Sequence, residues 1–485
     1  MRTGDIDREQ AGGAAEAWRG PEAGARRQRG FSIRAMPPAL KAVALACLAL
    51  STTMAVGAVQ WWHGDESIVR FLHWWLVSVQ GDDSWMPMRA AYAWHAAGHS
   101  GTMYRHVLFD QHIKFQYPPA SLLIFVIPAA LHLTVSNGLL NLIGWFSVLA
   151  EAAATAVLTA LWTREWQQPR ARMAAVILAF AMTLIFYPVL WGYTDGQIQA
   201  WLSAWFMFAA LSFFVGRKGF AGALVGATCI AKPQFILFLV WALLRRERSF
   251  AAGMAMVLAV TFAASLYVFG WNDHVGYLSA LSYISQHGET FIRNYSVNGL
   301  MNRLLHNGDS LLFTLHSYAP YNPIVFGATI LNSIAFIAFC LLYRLQDETR
   351  LADLLIAGLC LTVASPVAWE HHYGFLPAAF ALLAITLVRR SGAPWNGTFA
   401  AVLFAAFLAC DIVMPPVAAW AGGPASILES TLLFGALGVL FLLCRLRADT
   451  PVGPRAGASG LTLILLGALW PRLESAASRA TEKTP

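Results

Sequence analysis

Charge is scarce in this chain of 485 residues. Lys, Arg, Asp and Glu make up 12% of it, about half the share in soluble domains. The cysteines are few and unpaired in pattern: Cys47, Cys229, Cys340, Cys360, Cys410 and Cys444 all fall in apolar segments, with no CxxC. That argues against a disulfide framework and against a thiolate metal site. HExxH spacing is missing too, so no metal ligand set is read from the sequence. Alternating ten-residue segments are absent, which excludes a membrane β-barrel. No internal repeat is visible, which weakens an inverted-repeat transporter.

What remains is apolar. Hydrophobic residues make up 58%, with 19 Trp and 30 Phe. Apolar runs long enough to cross a bilayer recur, and charges gather in short clusters between them. The chain reads as all-α, a polytopic transmembrane helical bundle. The excess of 33 basic over 26 acidic residues is explained by cytoplasmic loops, so no nucleic-acid partner is inferred.

Basic clusters at 164–172, 217–218, 245–248, 344–350, 389–390 and 445–447 are placed inside, with the N-terminus. The expected spans are 41–62, 138–163, 173–190, 198–216, 249–270, 323–344, 351–366, 373–388, 397–415 and 426–444. Segment 118–133 must begin and end outside, as a re-entrant or surface helix. Segment 219–244 begins and ends inside, as two half-helices meeting at KPQ (232–234). Full crossings there would raise the count from ten to twelve or thirteen. Residues 1–38 read as a disordered cytoplasmic tail, 39–447 as the membrane domain, and 448–485 as a second tail. The apolar stretch 461–470 is too short to span and reads as a surface helix. The run at 41–62 lacks a cleavage site and is read as a span, not a signal peptide.

This topology gathers the unusual polar stretches on one side, opposite the basic loops. They are GDDSWMPMR (81–89), KFQYPP (114–119), YTDGQ (193–197), RNYSVNGLMNR (293–303) and SPVAWEHH (365–372). Two large exoplasmic loops, 63–116 and 271–322, lie there as well. A one-sided polar cavity suggests chemistry at that surface.

Each motif has a plain alternative. Asp82 and Asp83 suit a general base, and equally the N-terminal cap of a helix over WMPMRAAYAW. Asp195 suits a cap as well. Lys232 sits between apolar half-segments and suits an anion partner; near an interface it would snorkel. Arg293, Asn294, Ser296, Asn298 and Arg303 offer donors for a phosphate or for sugar hydroxyls, or form a polar loop before a short helix. Glu370, His371 and His372 suit a proton relay, or imidazoles placed on a phosphate leaving group. Adjacent histidines diverge, which argues against metal binding.

The order of these motifs resembles glycosyltransferase family 87, membrane enzymes of the GT-C superfamily. The likeness covers roughly residues 75–390. An acidic residue in the first outer loop is followed by AAYAW, Gly101, Tyr104 and FQYPP. Then come GQIQAWL, AKPQFILFLVWALLRRE, NYSVNGLMNRLL and SPVAWEHHYGFLP, similar to the family's elements in order. Pro87, Gln199 and Glu370 depart from the pattern.

The resemblance implies a GT-C-type fold whose exoplasmic loops form the active site, in a multi-pass protein of a bacterial inner membrane. It implies transfer of a sugar, typically mannose, from a polyprenyl-phosphate donor to a lipid or glycan acceptor. Asp83 would be the base, with Asp82 the less favoured alternative. His371, His372, Lys232 and Arg293 would meet the donor phosphate. Tyr117, Asp195, Gln197, Asn294, Ser296, Asn298, Arg303, Trp369 and Glu370 would bind substrate. No cofactor and no metal are implied, and membrane lipids are the remaining partners. The rival function is a transporter or flippase of a lipid-linked sugar. A GT-C enzyme using another polyprenyl-phosphate sugar is a second alternative.

Overall fold

The computed structural model describes residues 81–314, 316–343, 351–389, 396–411 and 423–446. The expected span 41–62, both tails and the surface helix at 461–470 lie outside the described residues.

Helices dominate, and no strand forms among the described residues. A short helix α1 (Trp85–Ala96) opens the described chain. A 3-10 turn (Pro119–Leu122) runs into α2 (Leu123–Ala130), within the segment read as a re-entrant or surface helix. Ser136 accepts from Leu139 N–H and so caps α3 (Asn137–Trp162). α4 (Pro169–Ile185) and α5 (Tyr187–Thr194) form one bent pair, angled by 47°. The bend falls at Phe186 (φ −63°, ψ 123°), just before Pro188, which cannot donate to an upstream carbonyl.

α6 (Gln199–Phe214) returns beside α3. α7 (Lys218–Thr228) then stops short, and a 3-10 turn (Pro233–Ile236) leads into α8 (Leu237–Leu244). These are the two half-helices expected from KPQ. Lys232 has φ −122° and ψ 77°, the extended backbone that a following proline enforces.

The broken segment is held by glycine-mediated packing. A Cβ on Gly222 would lie 2.0 Å from Phe250 O, and one on Gly253 would lie 2.0 Å from Gly219 O. Only glycines allow α7 to touch the long helix α9 (Arg248–His287) at backbone distance. α9 departs from helical geometry at Gly270 (φ 73°), where the sequence ends its span. The chain stays helical to His287 beyond that point, where a loop was expected. Asp273 on this second half accepts from Gly101 N–H and Met103 N–H, both at 3.0 Å, and ties the outer loop to the bundle.

The remaining helices are α10 (Val297–Leu304), α11 (Pro323–Leu342), α12 (Leu351–Val363), α13 (Leu376–Arg389), α14 (Asn396–Asp411) and α15 (Thr431–Leu446). A 3-10 turn, Glu370–Tyr373, separates α12 from α13.

Four helices among the described residues are long and apolar enough to cross a membrane, and the bent pair makes a fifth. α6 has 16 residues, about 24 Å at ~1.5 Å per residue, less than the ~30 Å hydrocarbon core. The sequence pattern alone treats it as an ordinary span. Exposed apolar side chains such as Val260, Phe262, Leu331 and Ile334 cover the long helices, as suits contact with lipid. The chain is an all-α, multi-pass membrane protein.

Candidate active site

The site begins where two loops press together. Asp83 N–H donates to Asp195 O (3.1 Å) and Ser84 N–H donates to Gly196 O (3.4 Å). Gly196 has φ +67°, and a Cβ there would lie 1.9 Å from Gly81 O. The left-handed backbone and the missing side chain are both required. Gly196→Ala is therefore expected to disrupt the site and to lower the melting temperature. Backbone strain of about 1–3 kcal/mol would add to the collision. An alanine variant with wild-type melting and turnover would show that this strap does not hold the site.

A hydrogen-bonded chain runs from this junction to the carboxylate. The hydroxyls of Tyr117 and Ser84 are 2.7 Å apart. Ser84 Oγ donates to Gln197 Oε1 at 2.8 Å and accepts from Ile198 N–H at 3.0 Å. With its oxygen held, Gln197 turns its amide nitrogen to Asp83 and donates to Oδ2. Tyr117 is the remaining donor to Ser84. Three side chains thus aim one carboxylate. Helix α1 starts at Trp85, as the capping reading requires, but Ser84 makes no side-chain cap. Its hydroxyl serves the Asp83 chain instead.

Burial among protein groups pushes the Asp83 pKa up, and the Gln197 hydrogen bond and the Lys114 charge work against this. Asp195 is pushed up to about 7 by burial and by the neighbouring Asp83.

The cavity that Asp83 lines carries a cluster of basic side chains. Lys232 Nζ meets His372 Nε2. The His371 and His372 rings stand edge to face, 4.8 Å between centroids. Close packing holds the histidine turn: a Cβ on Gly192 would lie 3.2 Å from His371 Cβ.

Asp83, Tyr117, Gln197, Lys232, Trp369, His371 and His372 line one cavity of about 470 Å³. Ile236, Leu237, Ile337 and Leu361 give it an apolar side. Sites for small ligands run from about 300 to 1,000 Å³.

The other residues singled out in the sequence do not border this cavity. Asp82 is beside it, which leaves Asp83 as the carboxylate inside. Arg293 stands behind the histidine turn, 3.6 Å from Glu370 Oε1 and 3.8 Å from the Trp191 ring centre. Asn294 accepts from Ala368 N–H (2.9 Å) and donates to Glu289 O (2.8 Å). Ser296 donates to Pro366 O (2.8 Å) and accepts from Gly299 N–H (3.1 Å). Asn298 donates to Thr329 and accepts from Glu289 N–H. Arg303 donates to three backbone carbonyls and to Ser430 (2.6 Å), with Glu429 at 3.4 Å. These donors clamp the SPVAW loop and the end of the bundle. They shape the wall and do not face the cavity.

The sequence pattern gives no sign of Ser84 as an aiming residue or of Phe313 as a cavity-lining group, and it does not single out Lys114, which also lines the cavity. Lys114 stands in plain view in KFQYPP, close to Tyr117, and that proximity is the signal that could have found it.

A carboxylate and a lysine–histidine pair lining one partly apolar cavity define a site for acid–base chemistry on an amphipathic anion. Residues 115–366 match glycosyltransferase family 87, and the chain belongs to that family. Tyr117, Gln197 and Lys232 fall within the match, His371 and His372 lie just beyond its end, and Asp83 lies well before its start. The chain is 28% identical over 284 residues to a Mycobacterium tuberculosis (strain CDC 1551 / Oshkosh) protein, the polyprenol-phosphate-mannose-dependent alpha-(1-2)-phosphatidylinositol pentamannoside mannosyltransferase. That alignment spans 57% of this chain and 61% of the relative, less than two thirds of the relative's length.

Proposed function

We propose that this protein is an inverting glycosyltransferase. It moves a mannosyl residue from a polyprenyl-phosphate donor to a lipid or glycan acceptor, on the exoplasmic side of a bacterial inner membrane, with its N-terminus in the cytoplasm. The observation that carries the reading is the placement of Asp83 and the Lys232–His372 pole on one cavity with an apolar flank.

Asp83 takes the proton of the acceptor hydroxyl as its oxygen attacks the anomeric carbon. The bond from that carbon to the phosphate oxygen breaks, and polyprenyl phosphate leaves with the electron pair. Attack opposite the leaving group inverts the anomeric centre. Lys232, His371 and His372 stabilise the departing phosphate as its charge grows. The apolar flank, where Ile236 and Leu237 meet Ile337, takes the first isoprene units.

The base works deprotonated, so kcat/KM falls as pH drops through the Asp83 pKa. That pKa is raised, so the acid limb is expected above the ordinary carboxylate range. Asp82→Asn removes the like charge that helps to raise the Asp83 pKa and is expected to move the limb to lower pH, by on the order of one pH unit. A limb unmoved in Asp82→Asn would show that this neighbouring charge does not set it. The test of the function is a transfer assay with radiolabelled polyprenyl-phosphate mannose and a membrane lipid extract. Label moving to a new lipid or glycan product supports the reading. Transport of intact donor across proteoliposomes with no new product would establish the flippase alternative, and transfer only from another lipid-linked sugar would replace mannose.

A further inference from the structure

The cavity has a second cationic pole that the donor reading leaves unused. Lys114 lines it, and its ammonium donates to Glu289 Oε2 at 2.5 Å. The same nitrogen lies 4.8 Å from the ring centres of both Phe313 and Tyr318. Phe313 meets Trp369 edge to face, 5.8 Å between centroids, and both rings line the cavity. Gln116 adds an amide to the same wall.

The two poles differ in chemistry. Lys232 meets a histidine, which suits an incoming anion. Lys114 is already neutralised by a carboxylate, and a phosphate there would face the Glu289 charge. A paired ammonium keeps two further N–H donors and suits neutral hydroxyls. Aromatic walls next to such donors suit the apolar face of a sugar ring. Position agrees as well, because the Lys114 charge acts on Asp83.

We propose that Lys114, held by Glu289 beside Phe313 and Trp369, binds the terminal neutral sugar of the acceptor and presents its hydroxyl to Asp83. The inference rests on the glycosyltransferase reading and deepens it. Glu289 is a positioning residue, since it does not border the cavity.

The test compares Lys114→Met, Lys114→Arg and Glu289→Gln in purified full-length protein. Lys114→Met is expected to raise the acceptor KM at least tenfold, with the donor KM unchanged. Lys114→Arg is expected to restore most of the acceptor response, and Glu289→Gln to raise the acceptor KM alone. A raised donor KM, or no change in either constant, overturns the proposal.

A second measurement needs no turnover: binding of methyl α-mannoside to the protein, read by saturation-transfer NMR without donor. A sugar signal that disappears in Lys114→Met and persists in Lys232→Met supports the sugar site even where transfer from polyprenyl-phosphate mannose fails. A signal that persists in Lys114→Met, or never arises in the wild type, overturns it. Failure of this site and failure of the donor reading are thereby told apart.

Discussion

Asp83→Asn is expected to lower sugar transfer by about 10²–10⁴-fold, the usual worth of a positioned general base. Asparagine keeps the shape of the side chain and can still accept from Gln197 through its amide oxygen. The backbone bond from residue 83 to Asp195 O is untouched by the change. Expression, melting temperature and donor KM are therefore expected to stay near wild type, and the loss to fall on kcat. Initial rates with donor and acceptor varied separately check this. Turnover within a fewfold of wild type would remove Asp83 as the base.

The second large effect is expected for Lys232→Met. Methionine keeps much of the apolar stem and removes the charge. His372 then loses the ammonium that meets Nε2, and the proposed phosphate subsite loses a cation. A single donor aimed at developing charge is worth about 10²–10³ in kcat, and a loss of that order is expected. Because the phosphate is already anionic in the ground state, the donor KM is expected to rise as well. The acceptor KM is expected to hold. A variant with normal donor response would place the phosphate elsewhere.

Some of this was legible in the sequence, for physical reasons. Pro233 disfavours a helical Lys232, so the break at KPQ could be read directly. Gly270 marks the end of a span because the basic cluster at 245–248 fixes its start, and the chain bends at that glycine. The approach of residues 81–84 to 193–197 could not be read. It depends on Gly196 touching Gly81, two segments far apart in the chain. The donors of RNYSVNGLMNR mislead for a related reason. A polar side chain that satisfies buried carbonyls looks, in sequence, the same as one that awaits a ligand. Asn294 and Ser296 both turn to the SPVAW loop, and Arg303 is 2% exposed, which no local pattern reveals. Lys114 was hidden in the opposite way: its partners Glu289 and Phe313 lie in a distant loop.

The most direct test of the account is bond cleavage in detergent, where no membrane barrier exists. Purified wild-type protein would receive polyprenyl-phosphate mannose labelled in the sugar, with acceptor lipid, and free polyprenyl phosphate would be measured. The account predicts polyprenyl phosphate released in step with labelled product, with both lost in Asp83→Asn. Intact donor under these conditions, across several lipid-linked sugars and acceptors, would contradict it.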